Sequence, residues 1–149
     1  MKTSARVQTC GKLYLVGEYA VLTAGQPAII KAIPIYMMGE IQAAPAYRLT
    51  SDMFEHSSNL EPDPDYALIQ ETIGVMNTYL LILGFQLQPF SLKISGKMER
   101  KGKKFGIGSS GSVVILTIKA MAALYELDLE PELLFKLASY VLLKRGDNG

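Results

Sequence analysis

Cysteine and histidine are almost missing from this chain, with Cys10 and His56 the only examples of each. A single cysteine excludes an internal disulfide, and one residue of each kind is too few for a Cys/His zinc site, so redox and zinc chemistry within one chain are excluded. A hydrophobic run of membrane length is missing too. The longest candidate, Val113 to Tyr125, is interrupted by Lys119 and falls short of the roughly 20 residues a bilayer requires, so it reads as a buried helix. Met1 to Gln8 holds no apolar core of signal-peptide length, which makes a cytoplasmic location the expectation. Charge is scarce: charged residues are 19% of the chain, against about one quarter in a typical soluble domain. The 15 Lys plus Arg and 14 Asp plus Glu nearly cancel, leaving a formal charge of +1. No global attraction to nucleic acid or acidic membrane is built in, and neither partner is expected. Repeats and low-complexity tracts are absent as well.

What remains is 149 residues that are 49% apolar, enough for one core that needs neither disulfide nor metal. The first part reads as strands: Arg6 to Thr9, Leu13 to Val16 and Ala28 to Tyr36 are rich in Val, Ile and Tyr and are punctuated by Gly11, Gly17, Gly25 and Pro27. A further extended run covers Tyr47 to Thr50. The period then changes. Asp63-Pro64-Asp65 offers an N-cap, a first-turn proline and an acid, and Ile69, Ile73, Met76, Leu80 and Leu83 follow at helical spacing, with Gly84 as the stop. A helix over about 64–83 is predicted, then a strand over Phe90 to Ser95, a basic loop over Gly96 to Lys104, and helices over Ser112 to Tyr125 and Pro131 to Lys144. Strands first and helices later point to an α+β fold.

The segment richest in chemistry is Gly106-Ile107-Gly108-Ser109-Ser110-Gly111-Ser112, directly ahead of an apolar helix. Glycines let backbone N–H groups converge on an anion, and a helix N-terminus adds unpaired donors and the positive end of its dipole. Serine hydroxyls supply further donors or a magnesium ligand. The same string in isolation is also a serine cap on a flexible turn. A dinucleotide fold would need a strand ending at the first glycine and an acid about 20 residues later, and neither condition is met. A Walker A loop would need a lysine after the glycines, and a nucleophile elbow a glycine where Ser112 stands. Lys97, Arg100, Lys101, Lys103 and Lys104 lie just upstream; such a run is a solvated hairpin tip or a source of charge for phosphate, and it has no interleaved aromatics to stack on bases.

A second constellation runs from Gly11 to Leu22, Gly-Lys-Leu-Tyr-Leu-Val-Gly-Glu-Tyr-Ala-Val-Leu, with Lys12 and Glu18 around an apolar strand. This run resembles the first motif of the GHMP kinases (galactokinase, homoserine kinase, mevalonate kinase, phosphomevalonate kinase), and Phe105 to Ser112 resembles their second, phosphate-binding motif. Cys10 stands where the first motif usually has proline, and Ile107 where the second usually has leucine. The resemblance covers essentially the whole chain and implies an α+β, ribosomal-protein-S5-domain-2-like fold, the family's N-terminal ATP-binding domain. Gly17-Glu18-Tyr19, the segment from Asp63 to Ile73, Gly111 and the run from Leu142 to Gly149 are similar to the members that phosphorylate 5-phosphomevalonate.

That resemblance implies transfer of the ATP γ-phosphoryl group to 5-phosphomevalonate, with Mg²⁺, giving the diphosphate in isoprenoid precursor synthesis. Matched residue by residue, Gly106, Gly108, Ser109, Ser110, Gly111 and Ser112 would hold the ATP phosphates, with Ser110 the magnesium ligand. Lys12 would lie at the transferred phosphoryl group, and Glu18 and Tyr19, with Lys12, at the acceptor. Family members are about twice as long, so the expectation is an N-terminal domain that is incomplete at its C-terminal end, lacks the family's C-terminal domain and is inactive alone. Two alternatives stay open: a non-catalytic remnant or split subunit that associates with itself or with a complementary half, and another family member such as mevalonate kinase.

Overall fold

The computed structural model describes residues 3–16, 29–96, 99–100, 103–104 and 109–144. A long antiparallel pair comes first, β1 (Ser4–Val16) with β2 (Ile29–Ala43), paired from Ser4 opposite Gln42 to Val16 opposite Ile29 with register shifts between Cys10 and Lys12 and between Tyr14 and Val16. β3 (Arg48–Ser51), α1 (Ala67–Ile82) and β4 (Phe90–Ser95) follow, and the four strands form one sheet in the order β1-β2-β4-β3. β3 and β4 are parallel, a pairing that needs a crossover, which α1 supplies. The two-residue strands β5 (Glu99–Arg100) and β6 (Lys103–Lys104) pair as a small hairpin, and α2 (Ser109–Leu124) and α3 (Pro131–Lys144) close the described chain.

Period-two alternation decides which sheet face carries the helices. Arg6, Gln8, Glu40, Gln42 and Lys93 are exposed on one face, where Arg6 and Glu40 pair at 3.1 Å. Met37, Ile41, Leu49, Leu92 and Ile94 are buried on the other. Against that face lies α2, whose Val114, Leu116, Ile118, Ala120, Met121 and Leu124 are fully buried, so it is the central helix that its apolar composition predicts. α1 contributes Ile69, Ile73, Met76 and Leu80 to the same core, and α3 contributes Ala138 and Val141. Among the described residues no helix is long and apolar enough to cross a membrane.

The structure departs from the sequence reading in four places. β1 is one strand, not two, but its pairing slips at Gly11: from Cys10 to Lys12 it advances two residues while β2 goes from Tyr36 to Ala32. Pro34, which cannot donate to a ladder, lies in the slipped stretch. β2 continues past Tyr36 to Ala43 because Met37, Gly39 and Ile41 keep the buried alternation. α2 begins three residues earlier than Ser112, taking Ser109 and Ser110 into its first turn.

The fourth departure is the start of α1. Asp63 makes a turn, with its Oδ1 accepting from the Asp65 amide at 3.0 Å and its carbonyl from the Tyr66 amide at 3.0 Å, and the helix opens only at Ala67. Tyr66 stands at the N-cap without a side-chain cap; its buried ring anchors the helix start instead. At the other end the reading holds. Gly84 has φ +92°, the Phe85 amide donates to Leu80 and the Gly84 amide to Leu81, both at 3.0 Å, so the last carbonyls are satisfied by a left-handed residue.

Candidate functional site

Two distant contacts fix the position of α2. At its C-terminal end the Tyr125 hydroxyl accepts from the Gln88 amide at 2.9 Å, just ahead of β4. Near its middle Leu116 lies against Gly39, which faces Ile94 near the end of β4. The helix therefore runs antiparallel to β4, and its first turn, seven residues before Leu116, lies about 10 Å farther along at 1.5 Å per residue. That puts Ser109 past Ser95, at the end of the sheet where β1 passes through Cys10 to Lys12. The first turn of the helix and the backbone of Lys12 thus share one end of the sheet.

Close approach of helix and sheet depends on Gly39. A Cβ there would stand 3.2 Å from Leu116 Cγ and 3.3 Å from Val7 Cγ2, tighter than ordinary van der Waals contact, so these side chains would have to give by a few tenths of an ångström. In the sequence Gly39 lies beyond the predicted strand end at Tyr36, and a lone glycine names no partner. Lys119 ties the helix to the edge strand, its Nζ donating to the Gln8 carbonyl at 2.7 Å. Thr9, on the same face of β1 as Val7, has a buried hydroxyl with no hydrogen-bond partner among the described residues.

The first turn of α2 suits an anion. It contains no acid, so nothing opposes negative charge at the positive end of the helix dipole. Among the described residues a Cβ on Gly111 would meet nothing within 4 Å. Ser112 is buried at 7% exposure. Ser109, Ser110, Gly111 and Ser112 are brought together in this turn, and Lys12 sits in β1 opposite Ala32, just past the slipped pairing. Gly106, Gly108, Glu18 and Tyr19 lie outside the described residues. Of the basic run, Arg100 pairs with Lys103 and Glu99 with Lys104 in the β5–β6 hairpin.

A second knot of polar groups lies between β3 and α1. The Tyr66 hydroxyl donates to the His56 carbonyl at 2.6 Å and accepts from the Ser51 amide at 3.1 Å. Burial pushes that hydroxyl above the usual tyrosine range, with the Ser51 hydrogen bond opposing. His56 packs edge-on against Tyr66 at 5.5 Å, and its Nε2 lies 2.9 Å from Asp63 Oδ2. That contact holds the Asp63 carboxyl below its ordinary value. His56, Asp63 and Asp65 offer donor atoms within 4.8 Å of one another, the one such group among the described residues. These donors are exposed or half-buried and already engaged in the turn ahead of α1, so the cluster is accounted for as structure. The sequence reading passed over this knot because its members come from three separate segments.

A cavity of about 690 Å³, lined by residues that include Ala44, Tyr47, Arg48, Asn59, Asp63 and Ser91, opens at the start of β3 and β4. It faces the end of the sheet away from the first turn of α2.

The GHMP kinases N terminal domain family matches residues 67–148, more than half of the chain. A phosphomevalonate kinase of Streptococcus pneumoniae, solved in complex with phosphomevalonate and AMPPNP, is 61% identical with a TM-score of 0.90 over 97% of this chain and 44% of that one. A phosphomevalonate kinase of Streptomyces sp. (strain CL190) is 31% identical over 86% of this chain and 40% of its own length. The Methanococcus jannaschii mevalonate kinase is 27% identical with a TM-score of 0.79, over 97% of this chain and 48% of that one. The chain thus spans less than half the length of the relatives it matches.

Proposed function

The chain belongs to the GHMP kinase family, and from that premise we propose that it forms the N-terminal, ATP-binding part of a phosphomevalonate kinase. The observation that carries this reading is the 61% identity to the Streptococcus pneumoniae phosphomevalonate kinase across 97% of this chain. Mevalonate kinase relatives share the fold at less than half that identity, 27%. The reaction would be transfer of the ATP γ-phosphoryl group to the phosphate of 5-phosphomevalonate.

The residues suit such a transfer. Phosphoryl transfer rests mainly on positioning and on neutralising charge. The backbone amides of Gly106, Gly108, Ser109, Ser110, Gly111 and Ser112 would hold the triphosphate at the start of α2, where no acid stands in the first turn and, among the described residues, a Cβ on Gly111 would meet nothing within 4 Å. Ser110 would take Mg²⁺, whose bound charge offsets that of the phosphates. Lys12, Glu18 and Tyr19 would orient acceptor and transferred group. The acceptor is already an ionised phosphate, so a strong general base is less needed than for an alcohol.

Calorimetric titration with Mg·ATP tests the cradle. The Ser110→Ala variant should bind at least about tenfold more weakly, the loss of one charge-assisted contact. Equal affinity would remove Ser110 from the site. Ligand-observed NMR with 5-phosphomevalonate and with mevalonate tests the acceptor: preference for the phosphorylated compound supports this assignment, and preference for mevalonate transfers the chain to the mevalonate kinase branch.

A further inference from the structure

The segment from Gly96 to Gly108 carries the basic run and leads into the glycine-serine turn, and its departure from the sheet is held by a residue the motifs do not include. The Gly96 amide donates to Asp52 Oδ2 at 2.9 Å, across 44 residues of sequence. Gly96 has φ +103°, a conformation open to glycine, so the chain turns sharply as it leaves β4. Asp52 is itself braced. Its amide donates to the Ile94 carbonyl at 3.1 Å, extending the β3–β4 ladder by one step. Its neighbour Ser51 is 2% exposed, with its amide on the buried Tyr66 hydroxyl and its Oγ accepting from Met53. A continuous line of contacts therefore runs from the start of α1 through Ser51 and Asp52 to Gly96, at the same end of the sheet as the first turn of α2.

We propose that Asp52 is a positioning residue for the phosphate site: by holding the Gly96 amide it fixes where the chain leaves β4, at the same end of the sheet as the first turn of α2. The role rests on the phosphate-binding reading above, but the geometry at Gly96 is independent of it. A carboxylate oxygen accepting from an amide makes a stronger hydrogen bond than a neutral oxygen does. An amide oxygen at the same position retains the acceptor, so Asp52→Asn should preserve the turn where Asp52→Ala does not.

Three measurements on the full chain test this. In Asp52→Ala, exchange of the Gly96 amide should quicken about tenfold, and tryptic cleavage between Lys97 and Lys104 should rise at least about fivefold relative to cleavage at Arg48, the scale of losing one hydrogen bond to a charged group. Mg·ATP affinity should fall about fivefold, while Asp52→Asn, which keeps a weaker neutral acceptor, should stay within about threefold of the parent on all three readouts. Unchanged exchange and cleavage in Asp52→Ala would overturn the proposal. Faster cleavage with unaltered Mg·ATP affinity would overturn the positioning role and leave a purely structural contact. If the parent itself binds no Mg·ATP, the phosphate-site reading fails and the positioning role with it, whatever the exchange data show at Gly96.

Discussion

Replacing Gly39 with alanine should loosen the packing of α2 on the sheet. The added Cβ would meet Leu116 Cγ at 3.2 Å, Val7 Cγ2 at 3.3 Å and Leu116 Cδ1 at 3.4 Å. Leu116 is 0% exposed, between the sheet and the other helices, and cannot swing aside without disturbing further core residues. Overpacking of this kind costs about 1–3 kcal/mol. Alanine also restricts the unfolded chain, which offsets about 0.4–1 kcal/mol. The net expectation is a loss of about 1–2 kcal/mol, read in urea as a lower midpoint at constant slope. Leu116 must give by a few tenths of an ångström, and a shift of α2 with it would lower Mg·ATP affinity too. Gly111→Ala is the paired comparison: among the described residues its Cβ has nothing within 4 Å, so in the first turn of α2 it should leave stability unchanged or raise it by up to about 0.5 kcal/mol. Its effect on Mg·ATP should nevertheless be a loss, because the methyl occupies space the phosphates would use. A Gly39→Ala variant as stable as the parent would refute the close-approach argument.

Two further substitutions probe the knot beside α1. Tyr66→Phe removes the acceptor of the buried Ser51 amide and should cost about 1–3 kcal/mol, the penalty for an unsatisfied buried donor, measured by the same urea titration. Asp63 titrates below its ordinary value chiefly because of the His56 hydrogen bond. Its contribution to stability is therefore present above the unfolded carboxylate value and lost as pH falls through the lowered folded value. NMR titration should find Asp63 moving back toward its ordinary pKa in His56→Ala; an unmoved Asp63 would assign the depression to the turn amides instead.

Local pattern and distant contact divide what could be read from the sequence. β4 and α3 were predicted residue for residue because alternation and helical spacing involve neighbours in the chain, and Gly84 was recognised because a helix stop is a local event. The glycine-serine run ahead of α2 stood out for the same reason: all of it lies within one short stretch of sequence. The start of α1 was misplaced where tertiary structure overrode propensity, since the buried Tyr66 ring outweighs the capping potential of Asp63. Gly39, Asp52 and Lys119 were missed because each acts across a long stretch of chain, and a lone glycine, aspartate or lysine carries no mark of its distant partner.

Among the described residues, two regions contribute to the apolar surplus in the composition, with different meanings. One is α2, buried along most of its length, which a single buried helix requires. The other is exposed: Leu81, Ile82 and Leu83 at the end of α1, and Phe135, Tyr140 and Leu143 on α3, are 45–76% accessible. On α3 these side chains share the outer surface with the Glu132–Lys136 ion pair, 3.2 Å apart and mostly exposed. An exposed pair of that kind adds little stability. A solvated helix face ordinarily carries charged residues in place of three large apolar ones. Among the described residues, two regions therefore contribute to the low charge content, a central helix that packing fully explains and the accessible faces of α1 and α3 that packing does not.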